Sequence, residues 1–287
     1  MHVTTISCEL LLDVGALLGE GACWDGAGLW WVDILGGKLH RFQNGQDLVY
    51  HTGQPLGTVA PVNDSEVIVA LQRGIYRYNT AQDIFTLLAD PEPELPVNRL
   101  NDGKCDPMGR FWVGSMSHIE DGRVAGSLYR LDDRGLACMC TGVAISNGMG
   151  WSPDGRLMYY IDTPTRRVDV FDFDMTEGQI AHRRTVCDFD HTHGAPDGMT
   201  VDDEGCLWVA EWGGSRVSRW TPAGECVAEI ILPVSRVTSV AFGEGDTLYI
   251  TTAQGNAMDM GEAEPHAGSL FVAHVGVGGR PGYRFAY

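Results

Sequence analysis

The chain has 287 residues, 44% of them hydrophobic, with eight Trp and a net charge of −18, which is ample apolar material for a large core. That acidity excludes nucleic acid and anionic membranes as partners, because both would repel it. No apolar run approaches the roughly 18 residues of a membrane span, and the N-terminus lacks a basic region followed by a long apolar run, so a cytoplasmic protein is expected.

In chain order, residues 8–13 have strand character but nothing of their own to pair with. Six short aromatic or apolar strands follow, centred on Trp30, Ile68, Trp112, Tyr159, Trp208 and Tyr249, at steps of 38, 44, 47, 49 and 41 residues. Turn signals precede most of them, among them Asp25-Gly26-Ala27-Gly28, Asp106-Pro107-Met108-Gly109, Pro153-Asp154-Gly155 and Asp203-Glu204-Gly205. A second strand with period-2 alternation follows most of them, at 38–42, 74–78, 127–131, 167–171, 216–220 and 269–272.

A repeat of about 40–50 residues carrying four strands is the pattern of a β-propeller blade. The expected fold is therefore all-β, a six-bladed β-propeller with four-stranded blades, as a single domain over residues 1–287. Strand 8–13 would pair into the last blade and close the ring, which removes an exposed edge. Residues 92–96, 117–125, 190–196 and 254–267 read as loops, where functional residues concentrate over a rigid scaffold. The eight Cys contain no CxxC pair and read as reduced thiols, several of them small buried hydrophobes. Cys138 and Cys140 would point to one side of a strand.

The repeat serves as a ruler. Eight residues before the turn glycine stand Glu20 (before Gly28), Asn101 (Gly109), Asn147 (Gly155) and Asp197 (Gly205). The same count gives Thr58 in the second unit and Val237, beside Thr238, in the sixth. In a propeller these positions converge on the central axis. A ring of carboxylate and amide oxygens without Lys or Arg is a site for a hard divalent cation. Asn-Gly and Asp-Gly are also common turn pairs, so any one of these positions alone reads as turn chemistry. Glu20 argues otherwise, since Glu is a poor turn residue and occupies the same slot.

Other residues carry less. Arg99 shares a strand face with Asn101 and would reach a ligand's hydroxyls or a developing oxyanion. Lys104 would enter the channel or pair with Asp102 or Asp106. His118 reads as a solvated loop residue. His191 and His193 have a metal-ligand spacing but no third ligand nearby. No Gly-x-Ser-x-Gly elbow, phosphate loop or dinucleotide fingerprint occurs.

Several stretches together resemble the sugar-lactonase family that includes gluconolactonase and the senescence marker protein regucalcin. They are Leu18-Gly19-Glu20-Gly21 with Trp24, Leu29-Trp30-Trp31-Val32-Asp33-Ile34, Arg99-Leu100-Asn101-Asp102-Gly103-Lys104 with Gly109-Arg110-Phe111-Trp112-Val113-Gly114, Ser146-Asn147-Gly148, and Pro196-Asp197-Gly198-Met199. The resemblance implies a six-bladed propeller with one catalytic divalent metal ion in the channel, Ca²⁺ first, with Zn²⁺, Mn²⁺, Mg²⁺ or Fe²⁺ as alternatives. It implies Glu20, Asn147 and Asp197 as metal ligands and Arg99 and Asn101 as substrate contacts. The sequence departs from family members that carry an acidic residue soon after the counterpart of Gly114-Ser115-Met116, where Ser117, His118 and Ile119 follow, and from those with Asp near the position of Gly150. Both departures bear on which sugar is bound.

The expected reaction is metal-assisted hydrolysis of an aldonolactone to the aldonic acid in an oxidative sugar pathway. The metal would polarise the carbonyl and activate a bound water, with Asp197 as general base. A small-molecule sugar lactone is the expected partner, and the chain is expected to be a monomer or homodimer. The rival readings are a non-catalytic calcium-binding protein like regucalcin and an interaction scaffold.

Overall fold

All six aromatic or apolar runs become the second strand of a blade built on four antiparallel strands. The computed structural model describes residues 3–118, 124–189, 194–254 and 264–287. Two short strands come first, β1 (Thr4–Ile6) and β2 (Cys8–Leu12). Blade 1 is β3 (Gly19–Trp24), β4 (Leu29–Asp33), β5 (Lys38–Gln43) and β6 (Gln46–His51). Blade 2 is β7 (Leu56–Pro61), β8 (Glu66–Leu71), β9 (Gly74–Asn79) and β10 (Ile84–Ala89). Blade 3 is β11 (Asn98–Cys105), β12 (Phe111–Ser117), β13 (Gly126–Asp132) and β14 (Gly135–Val143). Blade 4 is β15 (Ser146–Trp151), β16 (Leu157–Asp162), β17 (Arg167–Asp174) and β18 (Gln179–Asp188), with a 3-10 turn at Thr163–Thr165. Blade 5 is β19 (Ala195–Val201), β20 (Leu207–Trp212), β21 (Arg216–Trp220) and β22 (Cys226–Ile231). Blade 6 is β23 (Val237–Phe242), β24 (Thr247–Thr252) and β25 (Leu270–His274), completed by β2.

The ring closes as expected, with β2 antiparallel to β25 in the register Cys8↔Ala273 and Glu9↔Val272. The sequence reading did not anticipate β1, which runs parallel to β22 and makes blade 5 five-stranded. Nor did it find the outer strands β6, β10, β14, β18 and β22 as strands in their own right. Their residues are largely half-buried or exposed, as in Gln179–Asp188, so no aromatic run marks them.

Each second strand is buried on both faces because a neighbouring blade covers each face. In β4, Trp30 and Val32 pack toward Val59, Val67 and Val69 of blade 2. Leu29 and Trp31 pack the other way, with Ala241 and Leu270 of blade 6. This two-sided burial makes the strand read as a continuous apolar run rather than an alternating one.

The innermost strands β3, β7, β11, β15, β19 and β23 converge on the channel. All six break register near their entry, between Glu20 and Cys23, Leu56 and Thr58, Leu100 and Gly103, Ser146 and Met149, Pro196 and Met199, and Val237 and Ser239. A bulge re-aims a side chain locally. Asn147-Gly148 and Asp197-Gly198 are therefore not turn pairs but bulges inside strands. Their glycines let neighbouring strands touch: a Cβ on Gly148 would lie 2.5 Å from the Asp197 carbonyl, and one on Gly198 would lie 2.7 Å from the Thr238 carbonyl.

At the other end of these strands, the turns of blades 1, 3 and 5 share one lock. Asp25, Asp106 and Asp202 each accept an indole N–H, from Trp30 (2.8 Å), Trp112 (3.0 Å) and Trp208 (3.0 Å). Each also accepts two backbone N–H groups and an Arg, namely Arg41, Arg110 or Arg219. The C-terminal segment runs across this face. Backbone bonds join Gly282 to Trp24, Phe285 to Pro61 and Ala286 to Gly109, and a bridge joins Gly279 to Asp202.

All eight cysteines are free. Cys138 and Cys140 lie on β14 opposite the adjacent residues Tyr129 and Leu128, with the register shifting between them. The strand bulges there, so they do not share a face in the regular way that alternation predicts. Among the described residues no helix is long and apolar enough to cross a membrane.

Candidate functional site

The bulges bring Glu20, Asn101, Asn147 and Asp197 to one end of the channel, each 4–6% exposed. Their side chains are linked. Asn101 Nδ2 donates to the Ser146 carbonyl (2.7 Å) and to Asn147 Oδ1 (3.2 Å). Asn147 Nδ2 donates to Thr163 Oγ1 (2.8 Å), which donates to the Pro196 carbonyl (2.8 Å), one residue before Asp197. Glu20 and Asp197 act on each other carboxyl against carboxyl.

Arg99 is buried beside them and donates from Nη1 to Asn101 Oδ1 at 2.6 Å. This contact decides how Asn101 is used. A carbonyl oxygen such as that of Ser146 only accepts, so the Asn101 nitrogen must face it. The amide oxygen is then held by Arg99, and Asn101 turns a donor rather than a ligand oxygen toward Asn147. The two other positions of the ring carry hydroxyls that are already spent. Thr58 Oγ1 donates to the Gly103 carbonyl (2.9 Å) and Thr238 Oγ1 to the Gly19 carbonyl (2.5 Å).

The carboxylates repel one another in a buried place. Burial, then the charge of Asp102, pushes the Glu20 pKa up from the ordinary 4.5 to about 8, against the Gly21 N–H that donates to it (3.0 Å). Asp197 stands well above the carboxylate range, through burial first and then the charges of Glu20 and Asp102. Arg99 is lowered to about 10 by burial, although Glu20 and Asp197 pull it back up. Two close, desolvated carboxylates with no Lys or Arg hydrogen-bonded to them are what a hard divalent cation would neutralise. The donor chemistry of Glu20, Asn147 and Asp197 therefore fits such an ion. Among the described residues no three His, Cys, Asp or Glu form a metal-binding group. An amide oxygen lies outside that set of side chains, so this trio falls outside it.

Sequence reasoning missed Asp102 and Thr163. Asp102 is buried one residue beyond Asn101, accepting from the Gly103 N–H (2.7 Å), with Thr58 Oγ1 3.5 Å away. Its Oδ2 has no hydrogen-bond partner among the described residues. Thr163 follows Asp162 at the end of β16, and its link to Asn147 exists only once blade 4 is folded.

Lys104 does not pair with Asp106, which is taken by Arg110 and Trp112. It donates to the Met199 carbonyl, and burial lowers its pKa against the pull of Asp102. His118 is exposed, its backbone N–H bonded to the Val97 carbonyl (2.7 Å). His191, His193 and Ile119 lie outside the described residues. A cavity of about 80 Å³ opens at the opposite end of the channel, lined by Cys23, Trp24, Lys104, Trp151, Arg280 and Tyr283 among others. Its lining comes from the turn-ward halves of the inner strands and from the C-terminal segment.

Comparison with known proteins bears on this geometry. The pattern of one sequence family, described as SMP-30/Gluconolactonase/LRE-like region, matches residues 18–254. The chain is 37% identical over 286 residues to an L-arabinolactonase of Azospirillum brasilense, covering 96% of this chain and 95% of that one. It is 36% identical over 285 residues to a regucalcin of Gallus gallus, covering 94% and 95%. Among solved structures it is similar to a calcium-binding protein, regucalcin, from Agrobacterium tumefaciens, with a TM-score of 0.93, 29% identity and full coverage of both chains.

Proposed function

The chain belongs to the SMP-30/gluconolactonase/LRE-like family, and from that premise we propose that it hydrolyses a sugar lactone to the open aldonic acid at the carboxylate end of the channel. The observation that carries this reading is the buried contact between Glu20 and Asp197, flanked by Asn147, Asn101 and Arg99. The arabinolactonase relative supports the substrate class, and the calcium-binding neighbour supports a divalent ion.

Glu20, Asn147 and Asp197 would hold the ion, Ca²⁺ first among the candidates. When bound, a divalent cation supplies Lewis acidity toward the lactone carbonyl and the attacking water. The protein's own groups do the rest. An Asp197 carboxylate oxygen takes the proton of the attacking water, a role suited to a carboxylate whose proton affinity burial has raised. Water oxygen bonds to the carbonyl carbon, the ring C–O bond breaks, and the ring oxygen leaves as a hydroxyl with the proton that Asp197 gives back. Arg99 offers positive charge to the developing oxyanion, and Asn101, clamped by Arg99 and Ser146, orients the sugar hydroxyls. Thr163 fixes Asn147.

The test is a panel of aldonolactones followed by pH-stat, with and without a chelator and with several divalent ions added back. Base uptake that depends on the ion supports the reading. Metal binding with no hydrolysis of any lactone would leave the calcium-handling reading, which the regucalcin relatives favour.

A further inference from the structure

The reading above leaves Lys104 without a task. Lys104 is one of two lysines in the chain, the other being Lys38. Ion pairs such as Arg41–Asp25, Arg110–Asp106 and Arg219–Asp202 use Arg instead. The Lys104 ammonium crosses the channel from blade 3 and donates to the Met199 carbonyl of β19, two residues beyond Asp197. Its three neighbours toward the site bind other blades. Asn101 reaches Ser146 and Asn147 of blade 4, while Gly103 accepts Thr58 of blade 2 and Asp102 lies 3.5 Å from the same hydroxyl. The four residues Asn101 to Lys104 thus tie blade 3 to blades 2, 4 and 5.

Charge adds a second argument. Glu20, Asp102 and Asp197 are three buried carboxylates, and Arg99 and Lys104 are the cations whose charge acts on them. Arg99 acts on Glu20 and Asp197. The charge of Lys104 acts on Asp102, whose Oδ2 has no hydrogen-bond partner among the described residues. On its far side Lys104 lines the turn-side cavity, so it divides the carboxylate end of the channel from the turn-side end.

We propose that Lys104 is a positioning residue for the reaction: its bond to the Met199 carbonyl holds the β19 bulge that aims Asp197, and its charge offsets buried Asp102. A lysine suits both tasks, since a thin stem carries a compact charge with three donors through a narrow channel. The inference rests on the lactonase reading for its kinetic part, while the tether itself stands on the Lys104–Met199 geometry.

The test compares wild type with Lys104→Met, Lys104→Arg, Asp102→Asn and the double variant Lys104→Met/Asp102→Asn. Each is measured for lactone kinetics, Ca²⁺ binding by calorimetry and thermal unfolding. Loss of a positive charge by itself tightens cation binding. The expected result for Lys104→Met is a kcat about 10–100-fold lower, with KM little changed, one Ca²⁺ still bound per chain and affinity no weaker than wild type. Lys104→Arg recovers kcat only in part, because it restores the donor on a head wider than the narrow channel that admits the lysine. The double variant recovers unfolding temperature, since the orphaned charge is gone, but not kcat, since the tether is still missing. If Lys104→Met does not fold, the double variant carries the kinetic test.

A kcat equal to wild type in Lys104→Met or the double variant overturns the proposal. So does a kcat loss that tracks a loss of Ca²⁺ stoichiometry, which marks mere unfolding. A wild type that neither binds a divalent ion nor opens any lactone overturns the lactonase reading itself, and that failure is read before any variant is made.

Discussion

The two ends of the same inner strands carry carboxylates of equal burial and opposite fate. Asp106 and Asp202, at the turn end, are fully or almost fully buried, and each accepts four donors: two backbone N–H groups, an indole and an Arg. Asp197, five residues before Asp202, has Glu20 as the strongest charge acting on it, a carboxyl group instead of a base. Burial alone therefore does not mark a site. A buried carboxylate that the fold has surrounded with donors is a structural part, because its desolvation is offset by charge-assisted bonds. A buried carboxylate that the fold has set against another carboxylate is waiting for a cation.

This contrast is broken most severely at the carboxylate end. Asp197→Ala is expected to lower lactone hydrolysis by about 10²–10⁴-fold, the range of a lost general base, and Glu20→Ala to do so together with loss of Ca²⁺ binding by calorimetry. The fold should survive both, and in chelator Asp197→Asn should unfold no earlier than wild type, since it removes a like-charge contact. At the turn end the order is reversed. Asp202→Ala strips the Trp208 indole and two backbone N–H groups of their acceptor and leaves Arg219 only Glu204, and is expected to cost about 3 kcal/mol in denaturant unfolding, while kcat per folded chain stays close to wild type.

The same contrast has a pH dependence. Glu20 has a higher pKa folded than unfolded, so the native state holds the extra proton between the two values. Without a divalent ion, stability should fall as pH rises from about 4.5 to about 8, by at most about 1.4 kcal/mol per pH unit for each proton involved. A saturating divalent ion should flatten that slope, as denaturant midpoints measured at pH 5 and pH 8 in chelator and in Ca²⁺ would reveal. The smallest effect is expected one bond away from the trio. Thr163→Val removes the acceptor of Asn147 and should cost about 1 kcal/mol, read as a few-fold weaker Ca²⁺ affinity.

How much of this was legible in the sequence follows from where the information sits. The second strands were plain because both of their faces are buried, as in Leu29–Asp33. The outer strands were not, because Gln179–Asp188 is mostly exposed and carries no apolar run. The four oxygen residues of the channel were found by counting from turn glycines, since each strand spends the same number of residues between the channel mouth and its turn. The glycines after Asn147 and Asp197 were read as turn partners. Their actual reason, contact with the next blade, appears only when the ring is closed. Asp102, Thr163 and the reach of Lys104 to Met199 share that limit: each is a contact between blades, 33 to 95 residues apart in sequence.

The account turns on whether the Glu20–Asp197 contact is completed by a cation that the reaction uses. The direct measurement is the initial rate of lactone opening by chelator-treated protein as Ca²⁺ is titrated in, with bound ion counted on the same samples. The expected result is a rate near background in chelator, rising to saturation as one ion binds per chain, and no such rise in Glu20→Ala. A full rate in chelator, or a rise that persists in Glu20→Ala, would contradict it.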